Sequence, residues 1–306
     1  MNPVNRKEFL HTTALALAGL VVGSSFDLRR KNLLLSFSTL GCPDWTLQQI
    51  TDFAVQHGYK GIEVRGLLRQ MDLTRCPEFH TEENRKETLA LMKQKGLQFV
   101  GLGSSANLHV ADEAEKEKNL HEAKRFIDLA GQLNCPYVRV FPNNLPKEED
   151  KKQTLNRIAQ HLLELGNYAK EKNVTVLMET HGDVVWIEDL KTVMQAASHS
   201  HVGLVWDVSN MWTITKEPPA QAFRQLKRYI RHTHIKDARL VEGKPQYTLL
   251  GRGDVPIFEA IDALRNGNYK GYYSFEWEKL WQPGIAEPEI AIADYPLAMK
   301  KHIKSL

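Results

Sequence analysis

Cysteine is scarce. Three residues in 306, Cys42, Cys76 and Cys135, are too few and too scattered for a disulfide framework or a thiolate zinc site. Neither charge is in excess: 40 Lys+Arg stand against 37 Asp+Glu, a formal +3. That balance excludes a protein whose main work is neutralising nucleic-acid phosphates or anionic lipid. A small, neutral or weakly charged molecule is the expected partner, and no nucleic acid. No apolar run reaches the ~20 residues needed to cross a bilayer, so no stable membrane span is expected. A glycine-rich phosphate turn is also missing, because the first strand-like run, Leu33 to Thr39, leads into Leu40-Gly41-Cys42-Pro43-Asp44 without GxGxxG spacing. What is present is a globular composition, 42% hydrophobic and 25% charged, with material for a sizeable core.

Residues 1–25 read as an export signal: Arg6 and Lys7 precede an apolar run from Phe9 to Gly23, followed by Ser24-Ser25. Asn5-Arg6-Lys7-Glu8-Phe9-Leu10 resembles a twin-arginine motif with lysine in place of the second arginine. The expected location is therefore the periplasm, or the cytoplasm if the segment is a terminal helix or not a working signal. Residues 26–32 serve as a linker.

From residue 33 to 306, short apolar or β-branched runs alternate with segments of helical period. The expected strands are Leu33 to Thr39, Gly61 to Arg65, Gln98 to Ser104, Tyr137 to Pro142, Val174 to Thr180, Val202 to Val208, Arg231 to Lys236 and Gly271 to Trp277. Between them lie helical patterns such as Leu47, Ile50, Phe53 and Ala54, or Ile158, Leu162, Leu165 and Tyr168, and Pro218-Pro219 suits a helix start. An eightfold alternation over ~250 residues is what a (β/α)8 TIM barrel requires, whereas doubly wound sheets usually stop earlier. We therefore expect one α/β barrel domain, with irregular stretches at Gly66 to Pro77 and Val241 to Pro256.

Barrel enzymes build their sites at the C-terminal ends of strands. Four consecutive strands close on a polar residue there: Glu179, Asp207, His234 and Glu276. Singly, each has a structural explanation, such as a helix cap, a turn or a core hydrogen bond. Together, three carboxylates converging on one mouth repel unless a cation sits among them. A divalent ion held by these four residues is the expected cofactor, and the oxygen-rich donor set favours Mn²⁺ or Mg²⁺, with Co²⁺ or Zn²⁺ as alternatives.

The segments Met178-Glu179-Thr180-His181-Gly182, Trp206-Asp207-Val208-Ser209-Asn210, His232-Thr233-His234-Ile235-Lys236-Asp237 and Phe275-Glu276-Trp277 resemble the xylose-isomerase-like barrel family of sugar isomerases and epimerases. Ser38-Thr39-Leu40-Gly41-Cys42-Pro43 and Gly61-Ile62-Glu63-Val64-Arg65 look like that family too. In its ketose 3-epimerase branch the resemblance implies Glu179, Asp207, His234 and Glu276 as ligands of one metal, with His234 rather than His232 because it closes the strand. It also implies Glu179 and Glu276 as the residues that exchange protons with the substrate carbon. Asn210 stands where those epimerases have a substrate-binding His, and Leu240, with Arg239 one place short, where they have an Arg.

The chemistry that follows is proton abstraction next to a carbonyl of a keto-sugar through an enediolate, giving a divalent-metal-dependent isomerase or epimerase. A lyase or dehydratase acting on a 3-keto-glycoside or cyclitol would use the same site. A non-catalytic sugar-binding barrel is the alternative of another class. Further substrate-binding candidates are His181, Asn210, Arg239, Glu63, Trp212 and Lys236. For Glu63 and Arg65 a buried ion pair is the competing expectation. Gly251-Arg252-Gly253-Asp254 reads as a tight turn before the next helix, or less readily as a phosphate loop. The partner is a small carbohydrate, and a homo-oligomer is compatible with the sequence.

Overall fold

The structure, a computed structural model, describes residues 33–304; the export signal and linker expected over 1–32 lie outside the described residues. Its strands are β1 (Leu35–Ser38), β2 (Gly61–Val64), β3 (Gln98–Asn107), β4 (Tyr137–Phe141), β5 (Thr175–Glu179), β6 (Val202–Asp207), β7 (Ile230–Ile235), β8 (Asp237–Val241), β9 (Lys244–Thr248) and β10 (Tyr273–Phe275). All except β8 and β9 form a closed parallel barrel, each strand beside the next in sequence and β10 closing on β1. The eight barrel strands fall on the eight apolar runs expected from sequence. They read as near-continuous apolar runs because helices cover the outer face while side chains fill the interior.

The helices between them start where local chemistry starts them. Thr46 and Gln49 form a reciprocal capping box for α1 (Leu47–Gln56). Asp112 caps α4 (Glu113–Gln132) and Asp150 caps α5 (Lys151–Lys170), which follow α2 (Pro77–His80) and α3 (Glu82–Lys95). In α5 the side chains at Ile158, Leu162 and Leu165 are buried, one stripe of a 3.6-residue period against the sheet. α6 (Ile187–Ala196) and α7 (Val208–Thr215) follow β5 and β6, α8 (Pro219–Leu226) starts at the expected proline, and α9 (Ile257–Asn266) and α10 (Pro288–Lys304) complete the outer layer.

The stretch Val241 to Pro256, expected to be irregular, instead carries half of an antiparallel hairpin. β8 and β9 pair from Asp237 opposite Thr248 to Val241 opposite Lys244. The two-residue turn between them, Glu242-Gly243, has positive φ at both positions, 50° and 78°, the conformation that matches the twist of a tight hairpin. The hairpin frames the loop after it. The Asp237 carboxylate accepts N–H hydrogen bonds from Gly251 (2.8 Å) and Gly253 (2.9 Å), and Asp254 accepts one from Leu240 (2.8 Å). Those donors are therefore already engaged, and Gly251-Arg252-Gly253-Asp254 is the tight turn rather than a phosphate loop.

Gly253 sits against this carboxylate. A Cβ there would stand 2.2 Å from Asp237 Oδ1 and 2.5 Å from the Ala238 carbonyl oxygen. Gly253→Ala is expected to lower stability by about 1–3 kcal/mol, as overpacking against backbone does. Urea unfolding checks this, and an unchanged midpoint would show that the turn is not clamped.

Candidate active site

Asp207 and His234 are register partners on β6 and β7, and Glu179 ends β5. Glu276 lies one residue past β10, where its N–H still donates to the Ile235 carbonyl. This register brings one donor atom from each of the four residues within 4.8 Å of the others, and all four are buried. The cluster expected from the strand ends thus exists in space.

The donors are left available by what surrounds them. Glu63, on β2, accepts hydrogen bonds from His234 Nε2 (3.0 Å), His232 Nε2 (2.7 Å) and Ser274 Oγ (3.0 Å). Its carboxylate holds the proton of His234 on Nε2 and turns Nδ1 towards the cluster, 3.2 Å from Glu276 Oε1 and 3.4 Å from Glu179 Oε1. His232 also turns its Nε2 to Glu63, but of the two histidines of β7 only His234 has a ring nitrogen among the donor atoms of Glu179, Asp207 and Glu276. Glu63 itself is 2% exposed and taken up by these three donors. Burial pushes its pKa up, but His234 and His232 pull it further down, to well below the usual carboxylate range.

Two cations enter the cluster. Lys236 Nζ, 1% exposed, lies 2.7 Å from Asp207 Oδ2, 2.5 Å from Glu276 Oε2 and 2.6 Å from Glu278 Oε1. Burial works against its charge, but Asp207, Glu276 and Glu278 outweigh that and raise its pKa well above the usual value. Burial pushes the Asp207 carboxyl up to about 7, with Lys236 pulling the other way. Arg139, in the middle of β4, places Nε 3.1 Å from Glu179 Oε2, donates Nη1 to the Ser104 carbonyl (2.7 Å) and covers the Phe141 ring. Arg139 was not expected from the sequence. Its signal was a lone charge inside an apolar run, at an inward position of a strand that alternates.

The other candidates divide. His181 is half-buried over the Phe141 ring and bonded through Nδ1 to Asn143 Oδ1 at 2.8 Å. Asn210 is tied to the cluster by its backbone N–H, which donates to Asp207 Oδ1 at 2.8 Å and makes Asp207 the N-cap of α7. Trp212, on α7, has Lys216 Nζ 3.9 Å over its ring. Arg239 is not brought to the cluster: it is exposed on β8 and donates to the Arg252 carbonyl. The strand-end pattern makes Lys236, not Arg239, the cation that turns inward. A cavity of about 470 Å³ opens beside β9, lined by Gln246, Tyr247, Leu249, Trp277, Gln282 and Ile285. It adjoins the cluster through Tyr247, whose hydroxyl donates to Glu278.

Glu179 Oε2, Asp207 Oδ2 and His234 Nδ1 are buried without a hydrogen bond, the two carboxylates having only the ion-pair contacts with Arg139 and Lys236. Two oxygens and one nitrogen that are buried without a hydrogen bond, with the Glu276 carboxylate beside them, fit a divalent cation.

Residues 51–297 match the family described as xylose isomerase-like TIM barrel. The chain belongs to that family. It is similar to the inosose dehydratase of Clostridium perfringens, 28% identical over 196 residues that make up 58% of this chain and 61% of that protein. It is also similar to the fructoselysine 3-epimerase of Shigella flexneri, 22% identical over 179 residues, 57% of this chain and 64% of that one. The chain thus spans less than two thirds of the length of these curated relatives. The crystal structure of the IolI protein with a bound zinc atom superposes with a TM-score of 0.74 at 17% identity, covering 89% of this chain and 99% of that one. That last likeness is one of fold.

Burial lowers the pKa of His181 below the ordinary imidazole value, with Glu179 pulling up and Arg139 and Lys236 pushing down. The unfolded chain therefore takes up this proton first as pH falls. The contribution of neutral His181 to stability is whole above about pH 6.5 and is lost below it. Between pH 6.5 and 5 the melting temperature of the wild type is expected to fall more than that of His181→Asn; parallel curves would contradict it.

Proposed function

We propose that this protein is a divalent-metal-dependent enzyme that removes a proton from the carbon next to the carbonyl of a polyhydroxylated ketone, with Glu179 and Glu276 as the proton-transferring groups and isomerisation or epimerisation as the outcome. The observation that carries this reading is the buried convergence of Glu179, Asp207, His234 and Glu276 at the strand ends. A divalent ion held by these four residues supplies charge stabilisation to the oxygen that becomes anionic as the carbon loses its proton. The protein groups do the rest. Glu179 and Glu276 accept and return the proton, Lys236 places a permanent positive charge beside Asp207 and Glu276, and Glu63 keeps His234 in one tautomer. The oxygen-rich donor set supports Mn²⁺ or Mg²⁺; the zinc atom in the IolI protein makes Zn²⁺ the comparison to run.

A second reading, dehydration, is favoured by a specific observation. Relatives named inosose dehydratase recur among the matches, and Leu240 stands where ketose 3-epimerases carry an arginine. The first chemical step is the same, and the outcomes part only when a hydroxyl β to the carbanion departs. The test is proton NMR in D₂O of Mn²⁺-loaded protein with D-fructose, D-tagatose and scyllo-inosose. Deuterium uptake with a new epimer or isomer supports the first reading and an unsaturated product the second. Absence of exchange on every substrate would leave a sugar-binding barrel. Export directed by residues 1–25 is proposed alongside, and N-terminal sequencing of protein from the periplasmic fraction tests it.

A further inference from the structure

Of the cations inside the barrel, Arg65 differs from the rest. Lys236 is held by three carboxylates and Arg139 faces Glu179, but Arg65 has no ion pair among the described residues. It directly follows β2 at the mouth and is 6% exposed. Its Nη2 donates to Ser105 Oγ at 2.9 Å, its backbone N–H donates to Thr39 Oγ1, and its Nη1 is buried with no partner. Arg139, itself 5% exposed, lies against it. The two meet above Gly103, where a Cβ would stand 2.5 Å from Arg65 Cδ and 2.9 Å from Arg139 Nη2. Glycine at 103 is thus what leaves room for the Arg65 stem and the Arg139 guanidinium together.

Two like charges, both buried and one without a counter-ion, are unfavourable in the ligand-free protein. Burial first, and the charge of Arg139 second, push the Arg65 pKa down to about 9, so it stays cationic at neutral pH. The carboxylates whose fields reach it, Glu179, Glu122 and Glu276, make no ion pair with it, and Glu122 accepts the N–H of Ser105 instead. A buried fork of donors facing a substrate mouth matches a planar oxyanion.

We propose that Arg65, with Arg139 beside it, binds a carboxylate of the substrate, so that the compound processed here is a carboxylated keto-cyclitol or keto-sugar acid rather than a neutral sugar. This rests on the proposed reaction for the existence of a keto substrate, but the anion site stands on its own geometry. A carboxylate fits better than a phosphate ester because Arg65 offers one flat fork with an unpartnered Nη1 and a single charge without an ion pair. A ligand that supplies one negative charge leaves Arg139 free to keep its contact with Glu179.

The test is isothermal titration of chelator-treated protein with quinate, a cyclitol carrying a carboxylate, and with myo-inositol, which has none. Neither ligand has a carbonyl to react, and no metal is needed, so failure of the proposed reaction leaves the result readable. Quinate is expected to bind about 10-fold or more tightly than myo-inositol, and Arg65→Gln should bring the two within about 2-fold. Arg65→Met is expected to melt no lower than the wild type, since it removes an unpaired buried charge. Equal affinities, no heat with quinate at millimolar concentration, or a preference that survives Arg65→Gln would overturn the proposal. So would a fall of about 4 °C or more in Arg65→Met, which would make Arg65 a structural residue. Tighter binding of myo-inositol 1-phosphate than of quinate would assign the site to phosphate and overturn the carboxylate.

Discussion

Glu276→Gln is expected to slow deuterium exchange into the substrate by about 10² to 10⁴, the usual worth of a positioned acid or base, while the barrel remains folded. The amide keeps the shape of the side chain, and Lys236 retains Asp207 and Glu278 as partners. What is lost is the ability to take a proton. Glu179→Gln is expected to cost a similar factor and to release Arg139 from its carboxylate partner. Exchange measured by NMR, with circular dichroism as the check on folding, distinguishes this from a binding protein. If both variants exchange at the wild-type rate, neither glutamate moves the proton.

Glu63→Ala should have the largest effect on stability. It leaves His232 Nε2, His234 Nε2 and Ser274 Oγ buried without their common acceptor. Breaking a buried charged network from one side costs about 3–5 kcal/mol. Because His234 then loses the group that fixes its tautomer, metal affinity is expected to drop about 10- to 100-fold. The acid limb should change as well. Glu63 has a folded-state pKa well below its ordinary value, because the two imidazoles outweigh burial. Its contribution is therefore complete above about pH 4.5 and lost as the pH falls further. Urea midpoints measured from pH 7 to 3 should decline more steeply for the wild type than for Glu63→Gln. Equal slopes would show that the carboxylate is not linked to folding.

The barrel was legible because each parallel strand is buried on both faces, so apolar, β-branched runs such as Val174 to Met178 stand out against the charged helices. The four converging side chains were legible for the same reason: a carboxylate or imidazole closing such a run has few places to go. The hairpin β8–β9 was not, since its strands are largely polar and half-exposed and β9 carries Pro245; only Glu242-Gly243 marked the turn. The role of Glu63 was hidden by distance along the chain, its partner His234 lying 171 residues away. Arg139 carried no expectation, and Arg65 only that of substrate contact or a buried ion pair, until the register of β2, β3 and β4 placed both beside Gly103.

The central claim is that Glu179, Asp207, His234 and Glu276 bind one divalent ion. Titration of chelator-treated protein with Mn²⁺, followed by electron paramagnetic resonance of the free ion, measures it directly. One ion per chain is expected for the wild type, with that binding lost in Asp207→Ala and His234→Ala. A wild type that takes up no stoichiometric Mn²⁺, Mg²⁺, Co²⁺ or Zn²⁺, or binding that survives both substitutions, would contradict the claim.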